Sequence, residues 1–192
     1  FFKQKTAYEM IAEVGYPNAS LARIAERIGV AKSVVLYHVK TKDALVAAIV
    51  EHVMTASATA MIPALLAHDS AAAKLRAYIE SNVSFMDAHR VATVAMFEIV
   101  GSYRTPAGLR FDQAITSDGA APPPPEMAML DPRTIFELGI SNGEFDSGLS
   151  PTLLRNALRA ALDGAAAELA RDLSYELHVA EDTDSVHIFE AR

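Results

Sequence analysis

Six side chains between residues 32 and 42 combine positive charge, hydroxyl groups and a small apolar tip. They are Lys32, Ser33, Val34, Tyr37, His38 and Lys42. Lysine ammonium and tyrosine hydroxyl groups can bind phosphate oxygens, which positions a protein on a duplex without reading its sequence. Ser33 and Val34 can reach base edges, and a valine can touch a thymine methyl group. Taken alone, these residues indicate no more than a solvated helix face. Placed in a helix-turn-helix, they predict contacts with double-stranded DNA.

Two short helices joined by a glycine turn are predicted to position these side chains. Ser20 is a good N-cap for the first helix, because its oxygen accepts from a backbone N–H that the first turn leaves unpaired. Gly29 ends that helix, and a second helix covers about residues 31–38. We expect Val35 and Leu36 to face inward from the second helix. This is the helix-turn-helix arrangement, whose second helix enters the DNA major groove.

Several short stretches in and around these helices form a specific signature. They are Gly29-Val30-Ala31-Lys32-Ser33, Tyr37-His38 and Thr41-Lys42-Asp43-Ala44-Leu45, preceded by Gly15-Tyr16, Ser20-Leu21 and Ile24-Ala25. Together they resemble the signature of the tetracycline-repressor (TetR) family of transcriptional regulators, over about residues 6–52. Three residues depart from the usual pattern: Ala19 replaces a capping threonine, Val39 an aromatic residue, and Lys40 a glycine or proline.

The resemblance implies an all-α chain whose N-terminal and C-terminal parts have different functions. Residues 1–50 would form a three-helix DNA-binding head, and residues 51–192 a helical ligand-binding and dimerisation body. It further implies a cytoplasmic homodimer, paired through the last two helices, that binds a palindromic operator in two major grooves about 34–36 Å apart. A small-molecule effector in the body would release the DNA. The expected role is that of a repressor, and an activator is the alternative that the sequence does not separate from it.

The charge distribution is compatible with a local DNA contact. The whole chain has a formal net charge of -7. Residues 1–52 contain seven Lys or Arg and five Asp or Glu, whereas the remaining residues contain ten and nineteen. A mildly basic head on an acidic body can still bind phosphates, because neutralisation depends on the surface that touches them.

Composition excludes several other classes of protein. The chain has no cysteine, so disulfides, thiolate zinc sites and cysteine nucleophiles are absent. No uninterrupted apolar run approaches the ~20 residues that span a bilayer, so no membrane partner is expected. The opening FFKQK is too short and polar for a secretory signal, and we expect a basic arm before it.

No catalytic or metal-binding pattern accompanies the helix-turn-helix. The six histidines include no pair three or four residues apart, the spacing common for helix-borne metal ligands. Neither a Gly-x-Ser-x-Gly elbow nor a glycine-rich phosphate loop is present. We therefore expect no enzyme activity, cofactor or metal. The alternative hypothesis is an all-helical small-molecule-binding protein or enzyme whose head is only structural.

Apolar periodicity and caps predict the remaining helices. The expected helices cover residues 3–14, 41–62, 70–88, 90–103, 133–141 and 150–173, with a short one near 108–115. Lys42 in the first turn of the second of these lies at the positive end of the helix dipole, which we interpret as a hint of a nearby phosphate. Pro63 should kink or restart that helix.

Two segments are harder to assign. Pro122–Pro125 are four consecutive prolines, which favour extended polyproline II structure in a surface loop, or alternatively in a lid over a ligand cavity. Residues 176–191 have helical apolar spacing that the acidic run at 181–184 interrupts.

Aromatic, methionine and polar residues predict a ligand pocket in the body. The candidates are Tyr78, Asn82, Phe85, Met86, Met96, Phe97, Tyr103 and Arg104. A mostly apolar cavity with a few polar anchors is the usual small-molecule site. Ordinary core packing is the alternative for each apolar member of this set.

Overall fold

The structure, a computed structural model, describes residues 2–116 and 128–177. Its helices are α1 (Phe2–Val14), α2 (Leu21–Arg27), α3 (Lys32–His38), α4 (Lys42–Leu66), α5 (Ala71–Ala88), α6 (Arg90–Ser102), α7 (Phe111–Thr116), α8 (Pro132–Asn142) and α9 (Pro151–Arg171). A 3-10 turn, Tyr16–Asn18, lies between α1 and α2. Within these two ranges there is one isolated β-bridge, between Arg104 and Arg110. The predicted all-α class is confirmed.

The helix starts follow from local capping chemistry. Ser20 Oγ accepts a hydrogen bond from the Arg23 N–H (3.2 Å), and Asp131 Oδ1 accepts one from the Arg133 N–H (3.0 Å). Thr41 Oγ1 does the same for the Ala44 N–H (3.0 Å) at the start of α4. Each cap satisfies a backbone donor that the first helical turn cannot pair.

Helix α4 is longer than the sequence indicated. The sequence placed its end towards residue 62, with a kink or restart at Pro63, whereas the helix continues through Pro63 and ends at Leu66. Proline lacks the N–H that would bond the carbonyl oxygen four residues earlier, but only three residues of α4 follow Pro63, so few later contacts depend on the direction of the helix there.

The same helix is long and apolar enough to cross a membrane by length and composition alone. Several of its apolar side chains are buried inside the protein, since Leu45, Ile49 and Met61 are at most 5% exposed. Core helices of water-soluble proteins pass the same test, so α4 gives little support for a membrane span.

The chain divides into two compact units. The first comprises Phe1–Met54, His89–Pro122 and Ala166–Leu173. In it, α1 packs against α6, and both helices contribute buried apolar residues. They include Met10, Ile11, Val94, Ala95 and Ile99.

The second unit comprises Thr55–Ala88, Pro123–Ala165 and Ser174–Arg192. There α5 packs against α8, with Leu75, Tyr78 and Phe136 among the buried residues. The predicted division at residue 50 separates a DNA-binding head from a ligand-binding body by function, whereas these units are defined by packing. That functional division stays a prediction.

Two expectations concern residues outside the described ranges. The polyproline segment Pro122–Pro125, with the loop or lid assigned to it, lies in the gap after α7. The ambiguous segment 176–191 lies almost entirely beyond the last described residue.

Candidate nucleic-acid interface

A tight glycine turn holds α2 and α3 together. The Gly29 N–H donates to the Glu26 carbonyl oxygen (3.0 Å), and the Val30 N–H donates to the Ala25 carbonyl oxygen (3.0 Å). Gly29 has φ = +69°, a left-handed conformation that glycine adopts without the steric cost of a Cβ atom. The turn fixes the direction in which α3 leaves α2, as a helix-turn-helix requires.

Helix α3 is anchored by one buried side chain. Val35 is 4% exposed, whereas Leu36 is 37% exposed, so the prediction that both face inward is wrong for Leu36. Successive helical residues are about 100° apart, and a helix of two turns that touches one neighbour buries only a narrow stripe. The rest of α3 is therefore available as a surface.

Five of the six predicted DNA contacts lie on that exposed surface. Lys32, Ser33, Val34, Tyr37 and His38 are all exposed, and Tyr37 reaches 83%. The Tyr37 and His38 rings meet edge to face, with centroids 5.2 Å apart. A tyrosine this exposed on a short helix contributes little to the stability of the fold. Its ring and hydroxyl are therefore accessible to another molecule.

Lys42, the sixth predicted contact, is held by the chain itself. Its Nζ atom donates to the Tyr16 carbonyl oxygen (2.7 Å) and lies 4.0 Å from the centre of the Tyr16 ring. Burial lowers the pKa of the Lys42 ammonium, and the Asp43 carboxylate partly opposes that change. The Lys42 ammonium, although unfavourably placed at a helix start, thus has a hydrogen-bond partner within the protein. The predicted contact of Lys42 with DNA stays a prediction.

A polar and aromatic cluster surrounds this ammonium, and sequence reasoning missed it. The Tyr103 hydroxyl forms a hydrogen bond with Asp43, and the Tyr103 and Tyr16 rings meet edge to face with centroids 5.8 Å apart. Burial is the main cause that raises the pKa of both tyrosines, and the nearby Asp43 carboxylate adds to it. A local sequence pattern cannot predict the contacts of Tyr103 with Tyr16 and Asp43, because these residues are far apart in the chain.

The α5 candidates for ligand binding are packed residues of the second unit. Tyr78, Phe85 and Met86 are at most 9% exposed. The Asn82 amide nitrogen lies 3.8 Å from the Met61 sulfur. Burial raises the pKa of the Tyr78 hydroxyl, and the charge and hydrogen bonding of Arg159 oppose that rise. A ligand that uses these residues must displace packed side chains.

The α6 candidates belong to the first unit and differ among themselves. Met96 and Phe97 are half-buried, and Tyr103 is buried in the cluster with Asp43. Arg104 is exposed, and its guanidinium donates to the Tyr103 carbonyl oxygen (2.7 Å). Arg104 therefore closes the end of α6. The ligand-binding role of the whole set stays a prediction.

A groove in the second unit involves none of the predicted ligand residues. It has a volume of about 190 Å³ and is lined mainly by apolar side chains. The lining residues are Leu65, Leu66, Lys74, Met129, Thr134, Ile135 and Leu138. Among the described residues, no three His, Asp or Glu side chains come together as metal ligands would.

Comparison with known proteins finds that the N-terminal part of the chain is similar to a family of regulators. Residues 5–49 match the profile described as "Bacterial regulatory proteins, tetR family". No curated protein sequence matches the chain significantly.

Solved structures of regulators share the fold along most of the chain. The fatty acid degradation regulator FadR from Bacillus halodurans has a TM-score of 0.71 at 17% identity, covering 90% of this chain and 88% of that one. PfmR from Thermus thermophilus, a TetR family transcriptional regulator, has a TM-score of 0.65 at 17% identity, with 93% and 96% covered. The ketosteroid transcriptional regulator KstR2 of Mycobacterium tuberculosis has a TM-score of 0.63 at 12% identity, with 97% and 87% covered.

Proposed function

The chain belongs to the tetR family of bacterial regulators through its residues 5–49, and from that premise we propose a ligand-responsive repressor that binds a palindromic operator as a homodimer. Members of this family are DNA-binding transcription factors rather than enzymes. The enzyme alternative is therefore set aside. The proposed place of action is the cytoplasm, where the DNA is.

The observation that carries the proposal is the exposure of α3. Val35 anchors the helix, while Lys32, Ser33, Val34, Tyr37 and His38 extend away from the core. In the proposed complex, Lys32 and Tyr37 bind phosphates, and Ser33 and Val34 touch base edges. Lys42 joins them, because an ammonium has three donors and can hold the Tyr16 carbonyl oxygen while it contacts a phosphate.

The test separates phosphate contacts from base contacts. Operator selection from random duplexes supplies the site, and fluorescence anisotropy at several salt concentrations gives the affinities. We expect Lys32→Ala to weaken binding on all sequences and to reduce the salt slope by about one. Val34→Ala should instead change the preference at one base pair. Arg133→Ala, which removes an equal charge from α8, is the control and should leave the slope unchanged.

One face of α9 supports the proposed pairing of two copies. Leu153 is 66% exposed, and exposed small residues continue its stripe at helical spacing. They are Ala157, Ala160, Ala161 and Gly164. Small residues allow another helix to approach closely, so this face of α9 is suited to pack against the same face of a second copy related by a two-fold axis. Leu153→Glu should then shift sedimentation equilibrium towards the monomer, whereas Leu66→Glu, at a similarly exposed leucine of α4, should not.

The proposed effector is a predominantly apolar small molecule bound in the helical body. FadR and KstR2, which share the fold, are described as regulators of fatty acid degradation and as a ketosteroid regulator. Those names suggest apolar compounds as a first screen. Release of the operator requires that the effector bind the DNA-free state more tightly, and DNA must then weaken effector binding by the same factor. A screen for compounds that abolish the selected DNA complex tests this directly.

A further inference from the structure

Three of the seven residues of α3 are large apolar or aromatic side chains that lie on the surface. They are Val34, Leu36 and Tyr37, which are 41%, 37% and 83% exposed. Single exposed apolar side chains are common on proteins, but a concentration of them on one short helix indicates a surface that another molecule covers. Val34 and Tyr37 already have proposed contacts with DNA, whereas Leu36, which was expected to face inward, has none.

Helical geometry places Leu36 on the flank of α3 opposite to Val34. Successive residues are rotated by about 100° around a helix axis, so these two lie about 100° to either side of the buried Val35. Tyr37 lies about 160° from Val35 and forms the outermost ridge. The exposures agree with this arrangement, because Tyr37 is the most exposed of the three and the two flanking residues are exposed almost equally. A molecule that covers the ridge therefore meets an apolar side chain on both flanks.

The chemistry of a leucine side chain matches one feature of the DNA major groove. Base edges there display hydrogen-bond donors and acceptors, and their one apolar group is the C5-methyl of thymine. An aliphatic side chain pressed against a donor or acceptor removes its water without replacing the hydrogen bond, which costs free energy. A charged phosphate offers leucine no favourable contact either. Leu36 is thus suited to touch a thymine methyl group.

We propose that Leu36 reads a thymine in the operator, at a different base pair from the one that Val34 contacts. An α-helix with its side chains is about 10–12 Å wide, whereas base pairs are stacked about 3.4 Å apart, so opposite flanks of α3 reach different base pairs. Each half-site then contains two methyl contacts, one on each side of the Tyr37 ridge. The inference rests on the proposed DNA binding by α3 and adds a second residue that determines its sequence preference.

Replacing thymine by deoxyuridine tests the inference, because this removes the methyl group and leaves every hydrogen-bonding group of the base pair in place. Each thymine in one half-site of the selected operator is replaced in turn, and fluorescence anisotropy gives the affinity of the full chain. One replacement should weaken the parent about fourfold, as expected when a buried methyl group is lost. Leu36→Ala should bind that duplex and the thymine duplex equally well. Val34→Ala, the matched control, should keep its sensitivity there and lose it at another base pair.

Salt dependence separates base reading from phosphate binding. Leu36→Ala should keep the salt slope of the parent, because leucine neutralises no phosphate. Thermal unfolding checks that this variant is folded. Leu36→Gln, which introduces a polar side chain of similar length, should show the same loss of discrimination between thymine and deoxyuridine.

The opposite results are equally clear. A selected half-site without thymine on either strand overturns the inference, and so does a Leu36→Ala variant that responds to every deoxyuridine as the parent does. If Lys32→Ala still reduces the salt slope in either case, the proposed function stands; if it does not, both proposals fail. A reduced salt slope for folded Leu36→Ala overturns base reading in favour of a general role in docking α3.

Discussion

The Lys42 ammonium lies 2.7 Å from the carbonyl oxygen of Tyr16 and 4.0 Å from the centre of its ring. One side chain thus ties the first turn of α4 to the turn between α1 and α2. A hydrogen bond from a charged donor and a cation–π contact stabilise this connection, and both act at a partly desolvated site.

Replacing Lys42 by methionine should lower the free energy of unfolding by about 2 kcal/mol, because both contacts are lost while the aliphatic packing remains. Urea denaturation measures the change. Lys40→Met, at a neighbouring exposed lysine, should change stability by less than about 0.5 kcal/mol. Equal effects of the two substitutions would show that the contact with Tyr16 is not stabilising.

Tyr103→Phe should lower the free energy of unfolding by about 1 kcal/mol, because the hydroxyl loses its bond to Asp43. The pKa of Tyr103 is raised in the folded protein. Its contribution is therefore fully present below about pH 10 and is lost as the pH rises through the folded pKa. Urea denaturation between pH 8 and pH 11 should show a smaller alkaline loss in the variant. An identical alkaline loss would argue against the bond to Asp43.

Local chemistry made much of the fold predictable. Caps such as Ser20 and Asp131 bond a backbone N–H at most three residues away, so they can be recognised from a short stretch of sequence. The exposed surface of α3 was largely predictable for the same reason, since the glycine turn fixes which face remains free. Leu36 was misassigned because an apolar residue on a short helix need not be buried.

Contacts between distant segments could not be predicted. Lys42 and Tyr16 are 26 residues apart, and Glu144 and Ala71 are 73 apart. Whether Lys42 points outward or folds onto Tyr16 depends on how α4 packs, and spacing along one helix carries no information about that. The same limit applies to Tyr103, whose residue type fits a ligand pocket as well as it fits the bond to Asp43.

Glu144→Gln should make the protein less sensitive to acid. The Glu144 carboxylate accepts hydrogen bonds from the Ala72 N–H (2.9 Å) and the Ala71 N–H (3.1 Å) at the start of α5. These bonds, that of Ala72 first, lower the pKa of Glu144. The stabilisation is thus present above about pH 4.3, the ordinary glutamate value, and is lost as the pH falls through the folded pKa.

Denaturation at pH 7 and pH 3 measures the effect. The variant should be about 1 kcal/mol less stable than the parent at pH 7, and the difference should shrink at pH 3. Glu137→Gln, which removes an exposed carboxylate paired with Arg133, should cost less than about 0.5 kcal/mol at pH 7. A Glu144 variant whose difference from the parent is the same at both pH values would contradict the assigned role.

Two glycines in helices should respond in opposite ways to alanine. A Cβ atom on Gly139 would lie 2.1 Å from Cδ2 of Phe145, whereas one on Gly164 would have no atom within 4 Å. Gly139→Ala should therefore cost about 3 kcal/mol through overpacking, and Gly164→Ala should stabilise its helix by about 0.5–1 kcal/mol. Thermal unfolding at one protein concentration compares them. Adding Phe145→Leu should recover part of the loss at Gly139, because the smaller side chain makes room for the methyl group. The comparison uses the Leu153→Glu background, which removes the proposed pairing of α9 and leaves Gly164 open. Destabilisation by Gly164→Ala in that background would contradict the expected gain in helix stability.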